Sequence, residues 1–248
     1  MKVAIHQPHY FPWLGYLDKI AKVDKFIIMD DVQLTDRSPM VRNKFLNSLG
    51  EEQTLSISVE KKGYREKKTS EIKLFEWTKI RKKNRDFLIY NYQKSVYFEE
   101  VWNEISEIFE KDYEFLLELE MDILKKLLNL FNINTGIIYQ SDLDYNKENK
   151  NNDLILNLCL ASQADYYLSG NGARKYMKPE TFEKQGVKVV FQKFSYPKYE
   201  QINSKEFIPN LSALDILFNC GIEKANKIFW ENIKNNNEFS GELENESF

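Results

Sequence analysis

This chain has little cysteine, little histidine and no excess of charge of either sign. Of its 248 residues, two are cysteine (Cys159 and Cys220) and two are histidine (His6 and His9). Two cysteines are too few for a disulfide framework or a zinc cluster, so both are expected to be reduced thiols. The 35 basic and 38 acidic residues leave a formal net charge of −3. That balance gives no electrostatic case for nucleic acid or for a membrane surface. No apolar run approaches the length of a bilayer span, and the N-terminus turns polar after Ile5, unlike a secretory signal. The chain therefore reads as cytoplasmic. Internal repeats are also missing.

Familiar site signatures are missing as well. After Gly170 and Gly172 the third glycine of Gly-x-Gly-x-x-Gly is replaced by Lys175, so a Rossmann dinucleotide site fails on spacing, and no Walker pattern is present. No Ser-His-Asp or Cys-His arrangement follows from the spacing. Cys159 lies in the apolar run Leu154 to Leu160 and reads as core.

What is present is 42% hydrophobic and 14% aromatic residues, enough for one sizeable domain. Strands are expected at Lys2 to Ile5, Phe26 to Met29, Gly136 to Tyr139, Tyr166 to Leu168 and Val187 to Phe191. A further, half-exposed strand is expected at Gln53 to Val59. Helical spacing marks Trp13 to Lys22, Asp153 to Ser162, Pro179 to Lys184, Leu211 to Asn219 and Ile222 to Lys234. A helical block spans about 77–131, with breaks near Ser95 and Lys111. The charged run Lys61 to Lys68 reads as a surface loop, and Asp142 to Asn152 as a polar linker. Apolar strands alternating with helices predict an α/β fold: a mostly parallel, Rossmann-like open sheet covered by helices, with a helical subdomain in mid-chain. One domain over 1–248 is the reading, with residues 236–248 a frayed tail. The alternative is two domains divided near Lys147.

Polar residues at strand ends are the site candidates. His6 follows the first apolar run, and Pro8 ends that strand because it has no N–H for the ladder. His6 is either a general acid or base titrating near neutral pH, or a hydrogen-bonded residue that orders the turn. Gln7 could bind a substrate amide or hydroxyl, whereas His9 reads as surface. Tyr10 and Tyr16 offer hydroxyls and rings to a base or sugar; Phe11 and Trp13 read as packing. Gly15 leaves room for a ligand or another backbone. Asp30 and Asp31 could hold a divalent metal with a diphosphate, cap a turn or pair with arginine. Arg37, Arg42 and Asn43 suit a diphosphate or sugar carboxylate, or an ion pair with those acids. Ser169, Gly170, Arg174 and Tyr176 follow a strand and could contact a phosphate or sugar.

The segment His6-Gln7-Pro8, followed by Phe11-Pro12-Trp13-Leu14-Gly15-Tyr16, then Asp30-Asp31-Val32-Gln33 and Arg37 through Arg42-Asn43, resembles the opening of the WbqC-like family of bacterial proteins. Ala164-Asp165 to Tyr176 and Phe207 to Ser212 continue the likeness over most of the chain. At Asn84 the sequence departs from the family pattern, where a histidine is common. The tetrapeptide Trp13-Leu14-Gly15-Tyr16 occupies the place of the nucleotidylyltransferase His-x-Gly-His, without either histidine. The family is associated with surface-polysaccharide (O-antigen) gene clusters. The resemblance implies an enzyme of surface-glycan biosynthesis acting on a nucleotide-linked sugar. Acyl or aminoacyl transfer to an amino sugar is the sharper form inferred from the candidate residues, with His6 and Asp31 as catalytic groups. A glycosyltransferase and a non-catalytic precursor-binding or scaffold protein are the alternatives. No cofactor is implied by any motif.

Overall fold

The computed structural model describes residues 1–35 and 38–239. Its main sheet has five strands, all parallel: β1 (Lys2–His6), β2 (Lys25–Ile28), β5 (Gly136–Tyr139), β6 (Tyr166–Ser169) and β7 (Lys188–Phe191), in the spatial order β5-β2-β1-β6-β7. The expected mostly parallel α/β sheet is therefore present. Chain order runs outward to one side from β1 to β5, then resumes on the other side at β6. The reversal falls between β1 and β6, the place where open α/β sheets leave a crevice at their carboxyl ends.

The period-two alternation of side chains divides the strands' apolar residues between two cores. Ala4, Phe26, Ile28 and Leu168 face one core. Val3, Ile5, Ile27 and Tyr167 face the other, with Leu158, Cys159 and Phe182. Helix α1 (Leu14–Ala21) and the helices α2 (Trp77–Tyr92), α3 (Phe98–Ile105) and α4 (Leu116–Leu130) serve the first core, together with α7 (Ala213–Asn235). Helices α5 (Asn151–Ala161) and α6 (Pro179–Glu183) cover the second. The sheet is thus covered on both faces, which is why its strands read as near-continuous apolar runs. The helical block does contain three helices, separated near Ser95 and Lys111.

One pairing was not legible in advance. Arg42 and Asn43 do not lie in a strand-end loop. They open β3 (Arg42–Leu46), which pairs antiparallel with β4 (Glu52–Ser56) as a separate ribbon, with Arg42 opposite Ser56. Residues 236–239, expected to open a frayed tail, include packed positions. Phe239 is 1% exposed, and Glu238 forms a buried ion pair with Lys22 at 2.9 Å. Residues 240–248 lie outside the described residues.

Gly221 divides α7 into two helical runs, at φ 76° and ψ 167°. This is a backbone region that essentially only glycine occupies. A methyl group at that position would stand 2.6 Å from the Tyr97 ring. Gly221→Ala is therefore expected to lose about 2–4 kcal/mol of unfolding free energy through strain and overpacking together. Denaturant titration of the two proteins measures it; a loss below about 0.5 kcal/mol would show that the kink relaxes freely.

Candidate functional site

A cavity of about 960 Å³ opens at the carboxyl ends of β1, β2 and β6. Ile5, Met29 and Tyr167 form apolar parts of its wall. Asn151, Asn152, Leu154 and Ile155 from α5 add a further side, and the turn from Gly170 to Lys178 adds another. His6, Gln7, Lys19 and Ser169 supply its inner polar groups. Among the described residues no aspartate or glutamate lines it.

His6 ends β1 because Pro8 stops the ladder two residues on. Its Nδ1 lies 3.1 Å from the Gln7 carbonyl oxygen. A carbonyl can only accept, so Nδ1 carries the proton and Nε2 keeps its lone pair. Burial, reinforced by the Lys19 cation and opposed only by the Gln7 hydrogen bond, lowers the His6 pKa to about 3. The expectation of a histidine titrating near neutrality is therefore corrected: His6 is held neutral across the physiological range. His9 is buried as well, not on the surface. Its ring stacks on Tyr16 at 4.5 Å and meets His6 edge-on at 4.7 Å. Burial, His6 and Lys19 keep its pKa well below the usual value. Tyr16 donates its hydroxyl to the Gln7 carbonyl at 3.1 Å. The Gln7 carbonyl thus holds both His6 and Tyr16, which fixes the geometry of the turn.

Lys19 was not singled out in the sequence. Its side chain is buried, and its ammonium donates to the Ile5 carbonyl at 3.3 Å. Burial lowers its pKa to about 8. An amphipathic reading of α1 puts Asp18, Lys19 and Lys22 in water, yet every residue from Leu14 to Ile20 is buried. The covering groups come from far along the chain. Gln192 donates to the Gly15 carbonyl at 2.8 Å and to Asp18 Oδ2 at 2.6 Å. Lys22 pairs with Asp18 and Glu238 and donates to the carbonyls of Lys193 and Asn236. The alternation Gly15-Tyr16 then Asp18-Lys19 inside an apolar helix was the only local hint.

The remaining candidates separate into two groups. His6, Gln7, Ser169, Gly170 and Tyr176 share the cavity, with Tyr176 68% exposed at its mouth. The others are placed elsewhere. Tyr10 is buried in the core, its hydroxyl accepting from Asn84 at 2.9 Å. Asn84, where the family more often has histidine, also donates to the Ser56 carbonyl at 3.2 Å. Asn43 donates to the carbonyl of Phe11, a residue with φ of 43°, so it steadies a strained turn. Gly15 admits no ligand: a methyl group there would stand 2.0 Å from the ring of Trp13. That ring also stacks on Tyr196. Asp30 accepts from the backbone and hydroxyl of Ser141 at 2.9 and 2.6 Å. Asp31 pairs with Lys68 at 2.5 Å and accepts from Tyr145 at 3.0 Å, outside the cavity lining. Among the described residues no group of three or more His, Cys, Asp or Glu side chains could hold a metal. Arg174 lies over the Phe191 ring at 4.0 Å. Arg42 stands on the β3–β4 ribbon, also outside the lining. Arg37 lies outside the described residues.

The model of one family, the WbqC-like protein family, matches residues 7–227. An uncharacterized protein of Mycobacterium tuberculosis, Rv1507c, is 34% identical over 224 residues, covering 90% of this chain and 95% of that protein. No solved structure matches the chain. No helix among the described residues is long and apolar enough to cross a membrane.

The depressed His6 pKa has a stability consequence with a definite sign. The unfolded chain takes up a proton at His6 near pH 6.5, whereas the folded chain resists until about pH 3. The His6 contribution is therefore fully present above about pH 6.5 and is lost as pH falls toward 3. Between pH 7 and 5, His6→Gln is expected to lose less stability than the native chain, by on the order of 1–2 kcal/mol. Paired denaturation curves at the two pH values give this difference. Equal losses in the two proteins would mean that His6 titrates normally in the folded state.

Proposed function

The chain belongs to the WbqC-like protein family, and on that footing we propose that it is a transferase of bacterial surface-glycan biosynthesis that passes an acyl or aminoacyl group to the amine of a nucleotide-linked sugar. The observation that carries this reading is the cavity at the β1–β6 reversal, with a histidine locked neutral in its wall. Its volume of about 960 Å³ suits a ligand of nucleotide-sugar size. The family's association with polysaccharide gene clusters supports the pathway. A nucleotide-linked substrate is consistent with a cytoplasmic site of action.

In this mechanism the amine lone pair attacks the acyl carbon of an activated donor, a thioester or an aminoacyl ester. The new C–N bond forms as the donor's C–S or C–O bond breaks, and the leaving group departs with that electron pair. His6 Nε2 accepts the proton shed by nitrogen and returns it to the leaving group. A strongly depressed pKa makes His6 a weak base for a free ammonium. It is adequate for the far more acidic N–H of the positively charged addition intermediate. Gln7 and Ser169 supply donors and acceptors for sugar hydroxyls. Asp31, engaged by Lys68 and Tyr145, is given no step.

The test is incubation with uridine- and thymidine-diphosphate amino sugars and acyl or aminoacyl donors, read by the mass of the sugar product. A mass increase of one acyl group is expected. His6→Asn should slow it by roughly 10²- to 10⁴-fold. The native rate should show no histidine inflection between pH 5.5 and 7. Near-native turnover in His6→Asn, or no acylated sugar from any donor, would reject the mechanism.

A further inference from the structure

The electrostatic balance of the cavity is one-sided. Among the described residues Lys19 and Lys178 line it, and no carboxylate does. Lys178 is exposed at the mouth, but Lys19 is only 4% exposed. Among the described residues Lys19 forms no ion pair, and its one hydrogen bond, to the Ile5 carbonyl, is long at 3.3 Å. Its charged neighbours do not compensate it, since His6 and His9 are neutral. A buried ammonium with two unused donors carries a substantial desolvation cost. That cost is offset when an anion completes the site.

The space for such an anion is present. The Lys19 ammonium crosses from β1 toward β6, where Gly170 follows the strand's last residue. A methyl group built on Gly170 would lie 3.9 Å from Lys19 Nζ, and one on Gly172 would meet nothing within 4 Å. A side chain at Gly170 would take the volume beside the ammonium; glycine leaves it open. Among the described residues no arginine is in this lining, and Arg174 is directed over Phe191.

We propose that Lys19 and the Gly170–Gly172 turn form the diphosphate subsite of this cavity, at the reversal between β1 and β6. The inference deepens the nucleotide-sugar reading given above and rests on it for the identity of the ligand. It moves the anion contact from the arginines of the β3 region to a buried lysine on α1. The two ammonium donors not engaged by the Ile5 carbonyl meet phosphate oxygens, and the sugar extends from there toward His6.

Binding of a dianion should draw a proton onto Lys19, whose pKa burial lowers to about 8. The other titratable groups around it are His6, His9, Tyr16, Tyr167 and Glu120. His6 and His9 are held neutral, burial keeps the Tyr16 and Tyr167 hydroxyls protonated, and burial also pushes the Glu120 carboxyl up.

Uridine diphosphate and adenosine diphosphate, whose phosphates are fully ionised above pH 8, are the probes. Isothermal titration in two buffers of different ionisation enthalpy, at pH 8.5, reads affinity and proton uptake together. The native protein is expected to bind both nucleotides and to take up a fraction of a proton. Its affinity should then fall toward tenfold per pH unit above about pH 8. Lys19→Met keeps the apolar stem and should bind both at least about 30-fold more weakly, with no proton uptake. Gly170→Ala, at an ordinary φ of −70°, should fold normally, weaken both and retain the uptake. Failure of the native protein to bind either nucleotide, native-like affinity in Lys19→Met, or binding without proton uptake would each overturn the subsite. No acyl donor is present, so an inactive transferase that still binds through Lys19 would reject the reaction and leave the subsite standing.

Discussion

Strand β1 is hydrogen-bonded on both edges, to β2 and to β6, and that double pairing is the constraint on which the rest of the molecule depends. It makes β1 the central strand, so its side chains must be apolar on both faces until the chain leaves the sheet. It also makes β1 the strand from which the chain builds outward in both directions. His6 is where those demands end. Pro8 removes the donor a longer strand would need, and the chain turns at the one place where neighbouring connections diverge. The cavity is a geometric result of that divergence, and the side chains in it inherit positions fixed by backbone pairing.

Helix α1 is the second layer of the same constraint. It connects two adjacent parallel strands, so it must lie on the sheet, and α7 and the segment after β7 close over it. Its polar residues are thereby taken out of water in two distinct ways. Lys22 and Asp18 are paired internally. Lys19 is left facing the cavity with no carboxylate among the described lining residues. The same helix therefore contributes a structural ion cluster on one side and a ligand-facing cation on the other. Gly15 and Trp13 belong to the structural side, since the indole covers the glycine and joins Tyr196 and Phe194.

Elements with a strong local period were legible in the sequence. The five sheet strands, the three helices of the central block and the interruption near Gly221 all follow from apolar spacing and turn residues. The β3–β4 ribbon was half legible: Leu55 and Ile57 gave away β4, but Arg42, Asn43 and Lys44 disguise β3 as a loop. Among the residues that line the cavity, His6, Gln7, Ser169 and Gly170 could be picked out because each ends or directly follows a strand. Tyr10, Asn43 and Asp30 carry the same strand-end signature, yet they satisfy backbone or core partners. Short-range pattern cannot separate a polar group that holds a turn from one that faces a ligand. Lys19 was invisible for the complementary reason, because its surroundings, Ile5 and His6 at the end of β1 and the turn at Gly170, are brought to it by the sheet. No local period reports on that.

The ion cluster at Lys22 has a consequence for how the chain assembles during synthesis. Lys22 and Asp18 are synthesised well before their distant partners. Gln192, Lys193, Asn236 and Glu238, which complete their surroundings, emerge some 170 or more residues later. Until then the first helix carries a lysine whose native partners, Asp18 apart, do not yet exist, and it cannot dehydrate cheaply. The first βαβ unit therefore keeps Lys22 in water until those segments arrive. Its closure is tied to the arrival of distant segments, in keeping with slow formation of high-contact-order parallel sheets.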